Sequence, residues 1–198
     1  MSAPFIPFVF KTQLDQVLPL TDILFGNESE AESYAKAAGY PDPKDIRDIA
    51  RRIALLPKTN PSRARVVIFT QGASSTIVVS ADDPDKPKVF DVEKLSDDQI
   101  VDTNGAGDAF AGGVLAALIA GKDLSEAVLA GHALARACIL QVCFPSLVNP
   151  TFIDSNGYRS AHSILGRRLT FFRSLDIEIE TIHSSTFYLH VLYKALGA

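Results

Sequence analysis

Residues 66–70 read Val-Val-Ile-Phe-Thr, an apolar run of strand length with no alternation. Alternation would bury one face of a sheet and leave the other in water. A continuous run predicts a strand covered on both faces, as in layered α/β proteins. The flanking segments fit that class. Apolar residues at Leu14, Val17, Leu18 and Leu20 predict a short helix, broken near Pro19, that leads into a buried strand over 22–25. Gly26-Asn27 reads as a turn, followed by a helix over 28–38 that stops at Gly39. A second helix, over about 43–56, carries Ile46, Ile49, Ala50 and Ile53 on one face. Short strands over 76–80 and 88–92 come next, joined by a polar loop. Helices over 108–120 and 123–141 complete the pattern, the latter opened by Asp123 and Glu126 at capping-box spacing. This order suits half of an α/β layer protein built on a parallel sheet.

Composition excludes several classes. Of 198 residues, 47% are hydrophobic and 21% charged, which is globular rather than disordered. Nineteen Lys and Arg against 23 Asp and Glu give a net charge of -4, so nothing draws the chain generally to nucleic acid or anionic lipid. The longest charge-free stretch, 137–153, is broken by Pro145 and Pro150 and is short for a membrane span. The apolar start holds Pro4 and Pro7 and lacks the basic leading region of a signal peptide. The chain therefore reads as cytoplasmic, with the nucleus as a second compartment and no nucleic-acid or membrane partner; a monomer is expected, although composition does not set the oligomeric state. Cys138 and Cys143 form neither a disulfide framework nor a zinc set and are expected to be buried free thiols. Residues 1–150 hold 21 alanines and residues 151–198 hold 3. The expected division therefore sets 1–142 apart from a tail, 143–198, of different character.

The chemistry concentrates in Asp102-Thr103-Asn104-Gly105-Ala106-Gly107-Asp108-Ala109-Phe110-Ala111-Gly112-Gly113. Small residues where a loop enters a helix let backbone N–H groups and the helix dipole converge on an anion. Such a pocket suits a phosphoryl group that develops charge during transfer. Asp108, in the first helical turn, is placed to take the proton of an attacking hydroxyl. Two other glycine motifs are excluded. A Rossmann fingerprint needs Gly where Phe110 stands. A Walker loop ending at Gly121-Lys122 needs Gly at Ala116 and Ser or Thr at Asp123. The plainer alternative is a tight turn with Asp108 complementing the helix dipole.

The string DTNGAGDAF followed by GG resembles the signature of the ribokinase-like small-molecule kinases. Within that family SAPFI, DILFGNESEA, VIFTQG, DTNGAGDAFAGG and LAGHALA resemble the adenosine kinases, in order and at matching spacing, over residues 2–141. The resemblance implies the C-terminal portion of a three-layer α/β kinase domain that uses ATP and Mg2+ and phosphorylates the 5'-hydroxyl of adenosine to give AMP. It implies that Asp108 is the general base, and that Gly105, Ala106 and Gly107, with Asn104, line an anion hole around the γ-phosphoryl. Asn27 and Glu30 match an Asn-x-x-Glu motif that organises magnesium and its water. Thr70, Gln71 and Gly72 would contact the nucleotide phosphates, and His132 would lie near the ATP base. Ser2 to Phe5 match a segment beside the nucleoside, with Phe5 an apolar wall.

Each assignment has a structural rival. Asn27 with Glu30 is also a helix cap with its partner; residues 70–72 are also a strand running into a turn; His132 on an alanine-rich helix is also a packing residue. The family's N-terminal half, with its lid and most nucleoside contacts, has no match here, and neither does the tail. Two alternatives therefore stand beside adenosine kinase activity: another ribokinase-like sugar or nucleoside kinase, and a catalytically inactive fragment.

Overall fold

The computed structural model describes Met1 and residues 3–141. Ser2, Cys143 and the expected tail lie outside the described residues. Two compact units are present, Met1–Ser96 and a second beginning at Asp97.

The first unit opens with helices α1 (Phe5–Val9) and α2 (Lys11–Val17). The pattern had not predicted α1, because prolines usually break helices. Here Pro4 is the N-cap and Pro7 falls in the first turn, where the backbone N–H has no intrahelical acceptor to lose. The break near Pro19 appears as a 3-10 turn, Leu18–Leu20. Strand β1 (Ile23–Asn27) follows and passes directly into α3 (Glu28–Ala38), which ends at Gly39 in the left-handed region, φ 69°. Helix α4 (Ile46–Ala54) is shorter than predicted, because the Asp45 side chain caps it by accepting from the Arg47 and Asp48 N–H groups. Its buried face carries the expected Ile46, Ile49, Ala50 and Ile53.

Strands β2 (Val66–Thr70), β3 (Thr76–Ser80) and β4 (Lys88–Phe90) complete a four-stranded sheet of order β1-β2-β3-β4. The β1–β2 pair is parallel, but β2–β3 and β3–β4 are antiparallel, so the sheet is mixed rather than parallel. The short link from Thr70 to Thr76 explains this. It closes a hairpin, whereas a parallel return needs a crossover of about a dozen residues. Val67 and Phe69 join a core with Ala31, Tyr34, Ile49 and Ile53, while Ile68 and Val78 are buried outside that cluster. Strand β2 is thus covered on both faces, as its unbroken apolarity predicted.

One buried cation ties the layers of this unit. Arg65, 1% exposed, donates to the carbonyls of Leu18 (2.6 Å), Leu56 (2.7 Å), Ile53 (2.9 Å) and Pro57 (3.0 Å). These acceptors lie in the 3-10 turn and at or just past the end of α4; Leu18 O and Ile53 O also accept from the Thr21 and Leu56 N–H groups, at 3.1 and 3.2 Å. Arg65 N–H groups replace water there, and the residue immediately precedes β2.

The second unit is built on α5 (Ala106–Ile119) and α6 (Leu124–Ile139). The capping box at the head of α6 forms as expected: Asp123 Oδ1 accepts from Glu126 N at 2.9 Å, and Glu126 Oε2 accepts from Asp123 N at 3.3 Å. The two helices approach at glycines. A Cβ on Gly113 would stand 2.9 Å from Ala130 O, and one on Gly131 would stand 2.8 Å from the Phe110 ring. The second glycine of the GG pair and the glycine of LAGHALA therefore serve close helix packing. Cys138, near the end of α6, is buried as expected. Among the described residues no helix is long and apolar enough to cross a membrane.

Candidate functional site

The parallel pair β1–β2 sets out the first group of predicted residues. Their register places Asn27 opposite Thr70, each the last residue of its strand. In open α/β sheets ligands bind beyond the carboxyl ends of the parallel strands. Asn27 also begins α3: its Oδ1 accepts from Glu30 N at 2.9 Å, and Glu30 Oε2 accepts from Asn27 N at 3.0 Å. The Asn-x-x-Glu pair is therefore a full capping box, and the cap fixes the carboxylate. Glu30 is 4% exposed, and burial raises its pKa above the ordinary 4.5, opposed by the Asn27 N–H bond and the N-terminal ammonium.

Gly26 makes room for that carboxylate. A Cβ there would lie 2.9 Å from the Phe69 ring and 3.1 Å from Glu30 Oε2. The sequence had suggested only a turn at this position, although a glycine inside a strand is itself a sign of close approach. Thr70, Gln71 and Gly72 form the strand end and turn of the plainer reading. Thr70 Oγ1 lies 3.5 Å from Gly26 O, Gln71 Nε2 donates to Ser75 O at 2.8 Å, and Gly72 has φ 56°. Phe5, on α1, is 58% exposed and meets Phe10 edge-on at 6.4 Å.

The second unit carries the glycine loop. Helix α5 starts at Ala106, two residues earlier than predicted, so Asp108 is its third residue. Gly105 is the N-cap, in the left-handed region at φ 77°. That conformation carries a penalty for residues with a Cβ and sharply turns the chain into the helix. The α5 hydrogen-bond ladder begins where Ala109 N donates to Gly105 O at 2.8 Å, so the Gly107 and Asp108 N–H groups precede it. The exposed Asp108 carboxylate stands in the same turn. Gly107 has an ordinary helical place, and a Cβ there would meet nothing within 4 Å. His132, on α6, packs against Phe110 with ring centroids 5.4 Å apart, and burial pushes its pKa below the usual 6.5.

A mixed sheet flanked by helices, with a glycine-capped helix following it in the chain, is the ribokinase-like α/β fold. The chain belongs to the pfkB family of carbohydrate kinases, whose family profile matches residues 1–143. It is 54% identical over 141 residues to the adenosine kinase of Schizophyllum commune, covering 71% of this chain and 41% of that protein. The solved Anopheles gambiae adenosine kinase in complex with di(adenosine-5) tetraphosphate superposes with a TM-score of 0.69 at 42% identity, over 72% of this chain and 42% of that one. Schistosoma mansoni adenosine kinase in complex with 2-fluoroadenosine gives 0.66 at 38% identity, over 70% and 40%. The chain thus spans well under half the length of the relatives it matches.

The donor chemistry is compatible with magnesium. Among the described residues no group of three or more His, Cys, Asp and Glu side chains gathers to hold a metal. Glu30 is an oriented carboxylate with Glu28 in the same helical turn, and Mg2+ is commonly held by one or two carboxylates together with substrate phosphates rather than by an all-protein cage.

Proposed function

We propose that residues 1–142 supply the phosphoryl-transfer portion of an adenosine kinase, which moves the γ-phosphoryl of ATP to the 5'-hydroxyl of adenosine and yields AMP. The observation that carries this reading is the head of α5. A left-handed glycine cap, two backbone N–H groups ahead of the helix ladder and a carboxylate occupy one turn. The N–H groups of Gly107 and Asp108, with the Gly105–Ala106 backbone and Asn104, stabilise the charge that grows on the phosphoryl oxygens. Asp108 accepts the hydroxyl proton as the oxygen attacks phosphorus. Thr70, Gln71 and Gly72 contact the nucleotide phosphates, His132 borders the adenine of ATP as a neutral ring, and Phe5 walls the nucleoside. Asn27 orients Glu30 toward Mg2+ and its water; when bound, the metal neutralises phosphate charge.

Identity favours adenosine over a sugar as acceptor: the match to adenosine kinases reaches 54%, against 26% for the Thermotoga maritima ribokinase. The share of the relatives' length supports a second reading for the 198-residue polypeptide alone, that of a weak or inactive nucleotide binder. Phosphoryl transfer depends on positioning and on exclusion of water, so a base and an anion hole without a held acceptor give little product. The protein works as a monomer in the cytoplasm and nucleus on small molecules alone. Titration of the purified chain with ATP, with and without Mg2+, tests the reading. Weak, magnesium-dependent binding is expected, with AMP formation far below the kinase range of about 1–100 s⁻¹. Absence of ATP binding at millimolar concentration would contradict it.

A further inference from the structure

The loop that feeds α5 is held by contacts that the glycine motif does not announce. Asp102 Oδ1 accepts from Asn104 N at 2.8 Å. Behind it, the Ile139 carbonyl at the end of α6 accepts from Val101 N at 3.0 Å and from Asp102 N at 3.2 Å. Cys138 Sγ, one residue earlier, lies 3.5 Å from Asn104 O. Asp102 therefore links the end of α6 to the turn that opens α5. Its backbone is pinned to the α6 terminus, and its carboxylate sets the direction of the Asn104 peptide. The next residue, Gly105, must enter the left-handed region for α5 to begin with its N–H groups aligned.

We infer that Asp102 is a positioning residue for the anion hole. It acts as a hydrogen-bond acceptor rather than through charge or proton transfer, by locking the Thr103–Asn104 peptide, one residue ahead of Gly105, against the end of α6. The inference rests on the proposed phosphoryl role of the Gly105–Gly107 turn for its catalytic meaning, but the locking itself is independent of that role. The net worth of a backbone hydrogen bond corresponds to about tenfold in an equilibrium, so its loss frees the amide by about that factor. Asparagine at 102 keeps an acceptor oxygen at the same reach without the charge, whereas alanine removes it.

The test reads two signals on the whole chain. Residue-resolved amide exchange of wild type, Asp102→Ala and Asp102→Asn reports the locking. We expect Asn104 to exchange about tenfold faster in the alanine variant and near the wild-type rate in the asparagine variant. The interior amides of α5 and α6 should be unchanged in both. ATP titration with Mg2+ reports the consequence: a Kd about tenfold higher for alanine, restored by asparagine. Unchanged Asn104 exchange in Asp102→Ala would overturn the inference. So would uniform acceleration throughout α5 and α6, which marks a general structural role, or an Asp102→Asn variant as defective as alanine, which marks a role for the charge. If wild type binds no ATP while the exchange pattern holds, the kinase reading falls and the locking stands.

Discussion

Asn27 and Thr70 face each other across the only parallel strand pair among the described residues, each at its strand's carboxyl end. Asn27 at once closes β1 and caps α3, so the backbone there changes from extended to helical within one residue. The two positions stand where α/β sheets present ligands. Their alignment depends on Gly26, which lets the Glu30 carboxylate lie against the strand.

Gly26→Ala should destabilise the first unit by about 1–3 kcal/mol, the usual cost of overpacking. Its added methyl would press on the Phe69 ring and Glu30. Urea unfolding of the variant against wild type measures this. A difference within error would mean that strand and carboxylate shift freely.

Arg65→Met should cost at least about 3 kcal/mol. It removes the guanidinium from four carbonyls; Leu18 O and Ile53 O keep a backbone N–H, while Leu56 O and Pro57 O lose this donor at about 1–3 kcal/mol each. Lysine, with one point charge in place of a planar fork, should not restore the loss. The check is denaturant unfolding of both variants. A lysine variant as stable as wild type would show that charge alone suffices.

Much of this architecture was legible in the residues. The strand at 66–70, the helix bounded by Asn27 and Gly39, and the capping box at Asp123 follow from local periodicity and end signals, which depend on near neighbours. Arg65 was not legible: it sits in a polar Pro-Ser-Arg-Ala-Arg stretch, and its acceptors come from distant turns. The antiparallel hairpin was readable from the short 71–75 connection but was masked by the continuous apolarity that suggested a parallel sheet. Within the site, the string from Asp102 to Asp108 announced the glycine turn. It did not reveal which glycine carries the strained conformation, because that depends on where the helix begins.

The distinction between those glycines is testable. Gly105→Ala should lower stability by about 1–2 kcal/mol, since a Cβ is disfavoured at φ 77°. A Cβ at Gly107 would meet nothing within 4 Å, so Gly107→Val should leave stability within about 1 kcal/mol. If Gly107 borders the phosphoryl group, its valine variant should nevertheless reduce phosphoryl transfer about 100-fold or more. Thermal unfolding paired with turnover, in a context that supplies the rest of the kinase, separates the two effects. A valine variant with full turnover would remove Gly107 from the anion hole.

Glu30 should leave a signature in pH. Burial raises its folded pKa above the unfolded value near 4.5, so the protonated side chain favours the folded state. Its stabilising contribution is complete below that value and is lost as pH rises through the folded pKa. Glu30→Gln is neutral throughout and retains an acceptor for the Asn27 N–H. The stability of wild type relative to this variant should therefore fall as pH rises from 4.5, by unfolding free energies at a series of pH values. A difference that rises with pH would mean that Glu30 is held as a stabilised carboxylate instead.

The central claim is that Asp108 and its glycine turn perform phosphoryl transfer to adenosine. Residues 1–141 can replace the matching segment of the Schizophyllum commune adenosine kinase, at 54% identity. AMP formation from ATP and adenosine is then compared with Asp108 intact and with Asp108→Asn. The account predicts an active chimera whose turnover falls about 10²–10⁴-fold on substitution, with ATP affinity within a few-fold of the parent. A folded chimera that retains most of its turnover with asparagine at 108 would contradict it.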